Sequence, residues 1–509
     1  MSAEMPKSDM PKPSPDRPAA MRGLTFREPL LFERSRPGRD GYSLAKDFDE
    51  ADVDAAVPAN LARKVPAELP EVSEPDVVRH YVRLSHHNYC VDTGLFPLGS
   101  CTMKYNPKVN EWAARIPGFA HRHPYAPESQ LQGAIELMAS LEQMLAEIAG
   151  LDAVSLQPAA GAQGEFLGLA VIHAYLKDTQ GNPRKKVIIP DSSHGTNPAT
   201  CALNNYAVLP LKSNDQGMVD PAEVARVMDA DVAGIMITNP NTLGVFESEI
   251  HKIVEVVHAK GGQVYMDGAN MNALVGVLQP GTTGIDVMHF NLHKTMSIPH
   301  GGGGPGSGPI AVRRHLEPYL PAPRVKKNAD GTWSLEHKRP KSVGRVKAWY
   351  GNYGCLVRAY TYLREYGPAG VRAVTERAVL NANYIRANLK DDYALASNGP
   401  SMHEVVFSDA SFKDTGVETI DVAKRIMDYG YHPPTMYFPL IVHGSLMIEP
   451  TESETKETLD AFIHAMKAIA HEAKTTPEVV RSAPHMPGWR RFDEARAARN
   501  PVLRWTKSV

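Results

Sequence analysis

From Leu131 to Ala149 the apolar positions Ala134, Leu137, Met138, Leu141, Leu145 and Ile148 recur at helical spacing and trace one face. Gly150, directly after the stripe, suits a left-handed helix stop. A different rhythm follows. Short runs rich in branched residues, AVSL (153–156), KVIIP (186–190), GIMIT (234–238), QVYMD (263–267) and IDVMHF (285–290), predict strands alternating with helices. One of these helices carries a stripe of Leu167, Ala170, Val171, Ala174 and Tyr175; another is expected to start with Asn197 as N-cap and Pro198 at its first position. Such alternation predicts an α/β domain on a largely parallel sheet. Beyond about residue 350, helical segments near 370–390, 418–429 and 456–472 alternate with β-like HEVVF (403–407) and LIVHGSLMI (440–448), the pattern of a smaller α+β domain.

The remaining segments lack a period. Residues 1–22 are rich in Pro, Met and charge and read as a disordered leader. Residues 23–125 form an extended arm whose centre, HHNYCVDTGLFPLGSCTMKYNP, is dense in aromatic and polar side chains. Long irregular segments of this kind are more often functional than idle. The expected division is therefore a large domain over 126–350, a small one over 351–475, and an Arg- and Pro-rich tail over 476–509 laid on the surface or on a partner. No internal repeat is evident.

Composition narrows the class. At 509 residues the chain has room for two or three domains, and 55 Lys plus Arg against 57 Asp plus Glu leave no electrostatic footprint for nucleic acid or an anionic membrane. No stretch approaches the ~20 apolar residues needed to cross a bilayer, and the first residues lack the apolar core of a secretory signal. Cys90, Cys101, Cys201 and Cys355 are too few for a disulfide scaffold and match no zinc spacing. A soluble cytoplasmic protein with reduced thiols is expected.

The polar clusters fall just past the predicted strands: PAAGAQG, DSSHGTNP, NPNTLG, DGAN and NLHKT. In a parallel α/β sheet these C-terminal strand ends line the ligand crevice, so the clusters converge on one site. Asp267 and Lys294 are its sharpest pair. Chemistry based on pyridoxal phosphate (PLP) needs a lysine amine to tie the cofactor covalently and a carboxylate to keep the pyridine nitrogen protonated. A capping Asp and a solvated Lys are the bland readings of each residue alone; their ordered context favours the cofactor reading. His194 suits stacking on the cofactor ring, against the alternative of a histidine bonded to its own turn. Gly161, Ala162 and Gln163, where the next helix starts, offer backbone N–H groups to a phosphate. The strand-end clusters add Asn241, Thr242, Ala269, His293 and Thr295 as candidate cofactor contacts. The glycine run at 301–309 lacks the pattern of a P-loop and reads as backbone passing close to the lysine loop. His86-His87, His121-Arg122-His123 and the His293/His300 pair have no metal-ligand spacing, and no metal is expected. No GxSxG nucleophile motif occurs.

NLHKT followed by PHGGGGPGSGP resembles the glycine dehydrogenase (decarboxylating) family, the P-protein of the glycine cleavage system. LSHHNYCVDTGLFPLGSCTMKYNPKVNE (84–111), HPYAPESQLQG (123–133), LQPAAGAQGE (156–165), SSHGTNPA (192–199), TNPNTLGVFE (238–247), MDGANMNALVG (266–276) and MIEPTESE (447–454) resemble it too, so the likeness runs from about Phe26 to Trp505. The resemblance implies an aspartate-aminotransferase-like PLP fold, with the cofactor on Lys294, His194 stacked on its ring and Asp267 at its pyridine nitrogen. It implies decarboxylation of glycine and transfer of the aminomethyl group to the lipoyl arm of the H-protein. Many members are single chains about twice this length; this one resembles only the lysine-bearing half, the second subunit of the split form. A lysine-free homologous first subunit is therefore implied, two copies of each being expected. Cys101, Thr102, Lys104, Tyr105 and Asn106 are expected to help wall a passage for the lipoyl arm, with Cys101 a packed small residue rather than a nucleophile. Met296-Ser297-Ile298 after the lysine departs locally from the family pattern. Rival readings are an aminotransferase or carbon–sulfur lyase of the same fold, with Arg345 or Arg358 clamping a substrate carboxylate, and a silent assembly subunit. The joint presence of Lys294, Asp267 and His194 argues against the last.

Overall fold

The structure is a computed structural model that describes residues 28–39, 57–65, 67–301 and 306–506. The expected leader and residues 302–305 of the glycine run lie outside the described residues.

Seven strands form the large sheet: β1 (Ala153–Ser155), β2 (Lys186–Pro190), β3 (Ala207–Leu211), β4 (Val232–Thr238), β5 (Gln263–Gly268), β6 (Val287–Phe290) and β7 (Ile310–Val312). Their order is β1-β7-β6-β5-β4-β2-β3. The run from β6 to β3 is parallel, and β7 is antiparallel to both neighbours. Strands buried on both faces read as unbroken apolar runs, which is why β4 (VAGIMIT) is buried at every position. Alternation then sorts side chains into two layers. Ile188, Ile235, Ile237, Val264 and Met266 pack with Leu141 and Leu145 of α1 (Gln132–Ala149). On the other face Val187, Ile189, Met236, Tyr265 and Val287 pack with Leu167 and Val171 of α2 (Gly161–Gln180) and with Cys201 of α3 (Thr196–Leu203). Ile253 and Val257 of α4 (Ile250–Ala259) join the first layer. The helix α1 ends where Gly150 turns left-handed at φ 64°, the stop its sequence predicts.

The long helix α5 (Tyr353–Leu389) starts well before the expected 370–390 segment. Gly367 (φ 61°, ψ −179°) and Pro368 break its hydrogen-bond ladder and read locally as a helix end. Packing overrides them: Leu356 and Tyr362 sit in the large core, while Ile385 and Leu389 sit in a second one. That second core lies under a four-stranded antiparallel sheet of β10 (Ala394–Leu395), β11 (Val405–Ser408), β12 (Thr435–Met436) and β13 (Ser445–Ile448), ordered β10-β11-β13-β12. It is covered by α6 (Thr419–Asp428) and α7 (Lys456–Thr475).

Several elements differ from the sequence expectation. LIVHGSLMI is strand only over β13; Leu440, 84 % exposed, belongs to a turn that closes through Val442 N–H on Pro439 O before Gly444 at φ 56°. The edge strand β3 (AVLPL) is apolar in sequence yet largely exposed, and Pro210 within it hides it as a strand. The charged hairpin β8 (Arg324–Lys327) and β9 (Trp333–Glu336) lacks an apolar signature. Among the described residues no helix is long and apolar enough to cross a membrane.

The helix α2 approaches the sheet through glycine. A Cβ on Gly168 would lie 2.3 Å from the buried ring of Tyr265. Gly168→Ala is therefore expected to destabilise the protein by about 1–3 kcal/mol through overpacking, more than the gain of up to about 1 kcal/mol in helix propensity. Urea unfolding measures it; an unchanged or raised midpoint would contradict this close approach.

Candidate active site

Asp267 follows Tyr265 by two positions on β5 and so faces the layer covered by α2 and α3. In the parallel register its neighbour on β6 is His289. His289 Nε2 lies 3.4 Å from Asp267 Oδ1, and His289 Nδ1 lies 2.6 Å from the hydroxyl of Tyr265. The backbone N–H of Ala269 donates to Asp267 Oδ1 (2.9 Å). Asn197 Nδ2 donates both to Asp267 Oδ2 (3.2 Å) and to Glu165 Oε2 (2.8 Å), while Thr196 Oγ1 donates to Glu165 Oε1 (2.7 Å). Asn197 is thus not the N-cap expected; Gly195 occupies the cap, and the amide joins two buried acids.

The acids divide one charge between them. Burial pushes the Asp267 carboxyl up, but His289, the Ala269 N–H, Asn197 and the Lys294 ammonium outweigh it and hold the group below its ordinary range. Glu165 moves the other way: burial and the Asp267 charge push it up to about 7, against hydrogen bonds from Thr196, Asn197 and Thr200. The two shifts run in opposite directions, so the negative charge favours Asp267 and the proton favours Glu165.

Lys294 lies in a short helix, Leu292–Thr295, directly after β6. Its Nζ donates to the carbonyl oxygen of Ser100 at 2.7 Å. Its charge acts on both Asp267 and His194, so the sheet brings the predicted pair into one site. The departure at Met296-Ser297-Ile298 has a local role: Met296 and Ile298 are buried, and Ser297 turns left-handed at φ 54°. Asn106 Nδ2 holds that turn through Ser297 O (3.0 Å) and Oγ (3.3 Å), and Ser297 Oγ donates to Tyr105 O.

His194, exposed, shares a hydrogen bond of 2.9 Å between Nδ1 and Thr196 Oγ1, and its ring meets Phe438 edge-on at 5.4 Å. Partial desolvation lowers its imidazole pKa; Asp267 opposes and Lys294 adds to the effect, leaving a neutral ring. The N-terminus of α2 fits a phosphate. Its first-turn N–H groups at Gly161, Ala162 and Gln163 have no partner within the helix. A Cβ on Gly161 would sit 2.3 Å from Asn291 Oδ1, so only glycine allows this close packing. The hydroxyls of Ser307 and Thr295 are buried without a hydrogen-bond partner, as donors awaiting an anionic ligand are. Ser307 N–H meets His293 Nδ1 at 3.3 Å, which ties the lysine helix to the segment after the glycine run.

Other predicted residues have different duties. Asn241 spends its whole amide on the loop: Nδ2 donates to Gly217 O and Glu247 Oε1 (both 2.8 Å), and Oδ1 accepts from Leu243 and Val245 N–H. It has no donor left for a cofactor, a correction to its expected role. Thr242 Oγ1 donates to Ser192 O (2.6 Å) and braces the His194 loop. The side chain of Gln163 is committed to Ala159 N–H and Val346 O, leaving only its backbone for a ligand. Lys104 is buried, with its ammonium shared among Glu452 Oε1 (2.8 Å), Asn272 Oδ1 (3.0 Å) and the Tyr362 hydroxyl (3.1 Å). It fastens the segment to the body of the protein and does not line a passage with a free charge. Tyr105 is exposed, while Thr102 is buried with its hydroxyl unpartnered. Burial raises the Cys101 thiol pKa, the Lys294 charge opposes, and Glu449 and Glu404 add to the rise, which keeps the sulfur protonated. Arg358 forms a bidentate pair with Glu111 (2.7 and 2.8 Å), so it is not free to clamp a substrate; Arg345 bonds the Tyr125 hydroxyl (2.9 Å).

Sequence reasoning missed His289 and Glu165. Both lie inside regular elements rather than in strand-end loops, and their relevance depends on the register of β5 with β6 and on the approach of α2. Among the described residues, two groups bring a histidine and two carboxylates within 4.8 Å of one another: Glu165, Asp267 and His289, and His403, Glu404 and Glu449.

A mostly parallel sheet with a lysine and a charge-compensated aspartate at its C-terminal edge defines a class of α/β enzymes, and solved structures share the architecture. A glycine decarboxylase (P-protein) of the glycine cleavage system in inhibitor-bound form superposes with a TM-score of 0.68 at 21 % identity, covering 82 % of this chain and 94 % of that one. Rice TDC with PLP and tryptamine gives 0.62 at 14 % identity, covering 82 % of this chain and 92 % of that one. The family model of the glycine cleavage system P-protein matches residues 41–339, and that of the glycine dehydrogenase C-terminal domain matches 374–485. The "probable glycine dehydrogenase (decarboxylating) subunit 2" of Listeria innocua is 54 % identical over 482 residues, 94 % of this chain and 99 % of that one. Its namesake in Bacillus licheniformis is 54 % identical over 479 residues, again 94 % and 99 % of the two chains. The chain belongs to the glycine dehydrogenase (decarboxylating) family, in its subunit 2 form.

Two outcomes follow from the buried charges. The folded pKa of Glu165 is raised from 4.5 to about 7, so its contribution to stability is present below pH 4.5 and is lost as pH rises through 7. Glu165→Gln is expected to gain stability relative to the parent between pH 5 and pH 8, read from denaturation midpoints; a constant difference would contradict the protonated acid. Lys104→Met leaves Glu452 without its buried cation and is expected to cost about 3–5 kcal/mol, with part recovered by adding Glu452→Gln. A thermal shift within error of the parent would show the tie to be dispensable.

Proposed function

We propose that this chain is the cofactor-bearing subunit of a glycine decarboxylase, holding PLP on Lys294, releasing CO2 from glycine and passing the aminomethyl group to the lipoyl arm of the H-protein. The observation that carries the reading is the ionised Asp267, buried beside Lys294 in a chain of this family. When bound, PLP supplies an electron-accepting ring that makes loss of the α-carboxylate feasible.

The residues of the chain prepare that chemistry. Asp267 would face the pyridine nitrogen with a charge that His289, Ala269 and Asn197 keep in place. The neutral His194 ring offers a face for stacking. Backbone N–H groups of Gly161, Ala162 and Gln163, with the hydroxyls of Ser307 and Thr295, would hold the phosphate. Lys294 Nζ would hold the cofactor and, when free, would accept or give up a proton at its own nitrogen. Because Cys101 stays protonated and Arg358 is paired with Glu111, neither competes as a nucleophile or as a substrate clamp.

The family resemblance supports a lysine-free homologous subunit as the partner, with two copies of each in the complex. It also supports lipoylated H-protein as the second substrate, approaching near the 101–106 segment, and a cytoplasmic setting. Lys294→Ala in the co-purified complex is expected to lose the visible absorbance of lysine-bound cofactor and to reduce glycine-dependent CO2 exchange at least ~1,000-fold, about 4 kcal/mol in the barrier. Exchange at the parental rate would refute the assignment.

A further inference from the structure

The carbonyl that receives the Lys294 amine belongs to an unusual stretch of backbone. Ser100 and Thr102 both adopt left-handed conformations (φ 62° and 41°), which side chains larger than glycine rarely occupy unless their surroundings impose it. The surroundings here come from the small domain. Leu98 makes an antiparallel bridge with Ile448, and Thr435 Oγ1 donates to Gly99 O at 2.7 Å. The N–H of Ser100 donates to Glu404 Oε2 (2.8 Å), and the N–H of Thr102 donates to Glu449 Oε2 (3.0 Å).

Glu404 and Glu449 adjoin the paired residues Val405 and Ile448 of β11 and β13, so the antiparallel register sets the two acids side by side. Both are fully buried, as is His403, whose Nε2 lies 4.0 Å from Glu404 Oε2 and 3.9 Å from Glu449 Oε1. Neither imidazole nitrogen has a hydrogen-bond partner, and the Oε1 atom of each acid is unpartnered as well. Two carboxylates and an imidazolium could not all stay charged there. Burial pushes His403 down to about 3; burial and the Glu449 charge push Glu404 well up, against Ser100 N–H and the Lys294 charge. Glu404 therefore meets Ser100 as a neutral acid, and what the loop needs from it is an oxygen in the right place.

We propose that Glu404 and Glu449 are positioning residues that lock residues 100–102 left-handed by accepting their N–H groups, so that the Ser100 carbonyl aims the Lys294 amine. The inference rests on Lys294 being the cofactor-bearing residue and adds what sets its direction. The large domain supplies the lysine, and the small domain supplies the acids that hold the 98–102 strap orienting it. Nothing in this role requires either acid to touch the cofactor or to exchange a proton with substrate. It requires only an acceptor of the right reach, which predicts that glutamine replaces Glu404 where alanine fails.

The test uses the full-length chain co-purified with its partner subunit, first freed of cofactor. Acetylation of Lys294 by an N-hydroxysuccinimide ester, followed by peptide mass spectrometry, reports how tightly the amine is held. Glu404→Ala is expected to label at least five-fold faster than the parent, and Glu404→Gln within two-fold of it. On reconstitution with PLP, Glu404→Ala should show a weakened visible band that Glu404→Gln restores. Glu449→Ala and Glu449→Gln provide a second pair should Glu404→Ala fail to fold cooperatively. Parental labelling in both alanine variants would overturn the proposal. So would labelling of Glu404→Gln as fast as Glu404→Ala, because the acid itself, and not its geometry, would then matter. A parent complex that forms no visible band with PLP would remove the Lys294 reading itself; a normal band with parental labelling in the alanine variants removes the strap alone.

Discussion

Asp267 is 2 % exposed, and a lone carboxylate in such a place would take up a proton. It stays ionised because four neighbours from four places meet it: His289 across the strand pair, Ala269 from its own loop, Asn197 from α3 and the Lys294 ammonium. Each arrives through a different constraint, one from sheet register, one from the turn after β5, one from helix packing and one from the loop after β6. Glu165 completes the arrangement: its carboxyl, pushed up to about 7, takes a proton more readily than Asp267 does. The site is thus an electrostatic balance that the whole sheet has to be in register to strike.

The segment over 98–106 links the two halves of the molecule to that balance. Its Leu98 extends the small sheet, Lys104 is pinned between Asn272, Tyr362 and Glu452, and Asn106 clasps the turn at Ser297. A stretch without periodicity is here among the most heavily bonded parts of the chain. Irregular backbone needs side chains and neighbouring carboxylates to satisfy groups that a helix or strand would satisfy for itself.

Much of this was legible in the linear order of residues. Strands β2, β4 and β5 stand out because strands of a parallel sheet buried on both faces have apolar centres rich in branched residues, and β2 occupies the span its sequence predicts. Lys294 and Asp267 could be picked from their positions after strands. His289, Glu165 and the His403–Glu404–Glu449 group could not, since each acquires meaning from a cross-strand or interlayer neighbour that no local pattern encodes. Asn197 and Asn241 misled for the same reason: their amides bond to residues tens of positions away or to a tight local turn, and sequence alone does not say which. The Leu440 turn failed differently, because an apolar composition does not oblige a segment to be buried.

The bend in α5 has a mechanical meaning. The helix enters one core, turns at Gly367 and Pro368, and ends in the other, so it is a single rod shared by two bodies. A Cβ on Gly367 would meet nothing within 4 Å, which leaves the joint room to flex. Any change of angle between the two cores would be absorbed most easily at this break in the helix ladder. Tyr362, just before that joint, bonds the Lys104 ammonium, so the same rod also touches the segment that carries the strap.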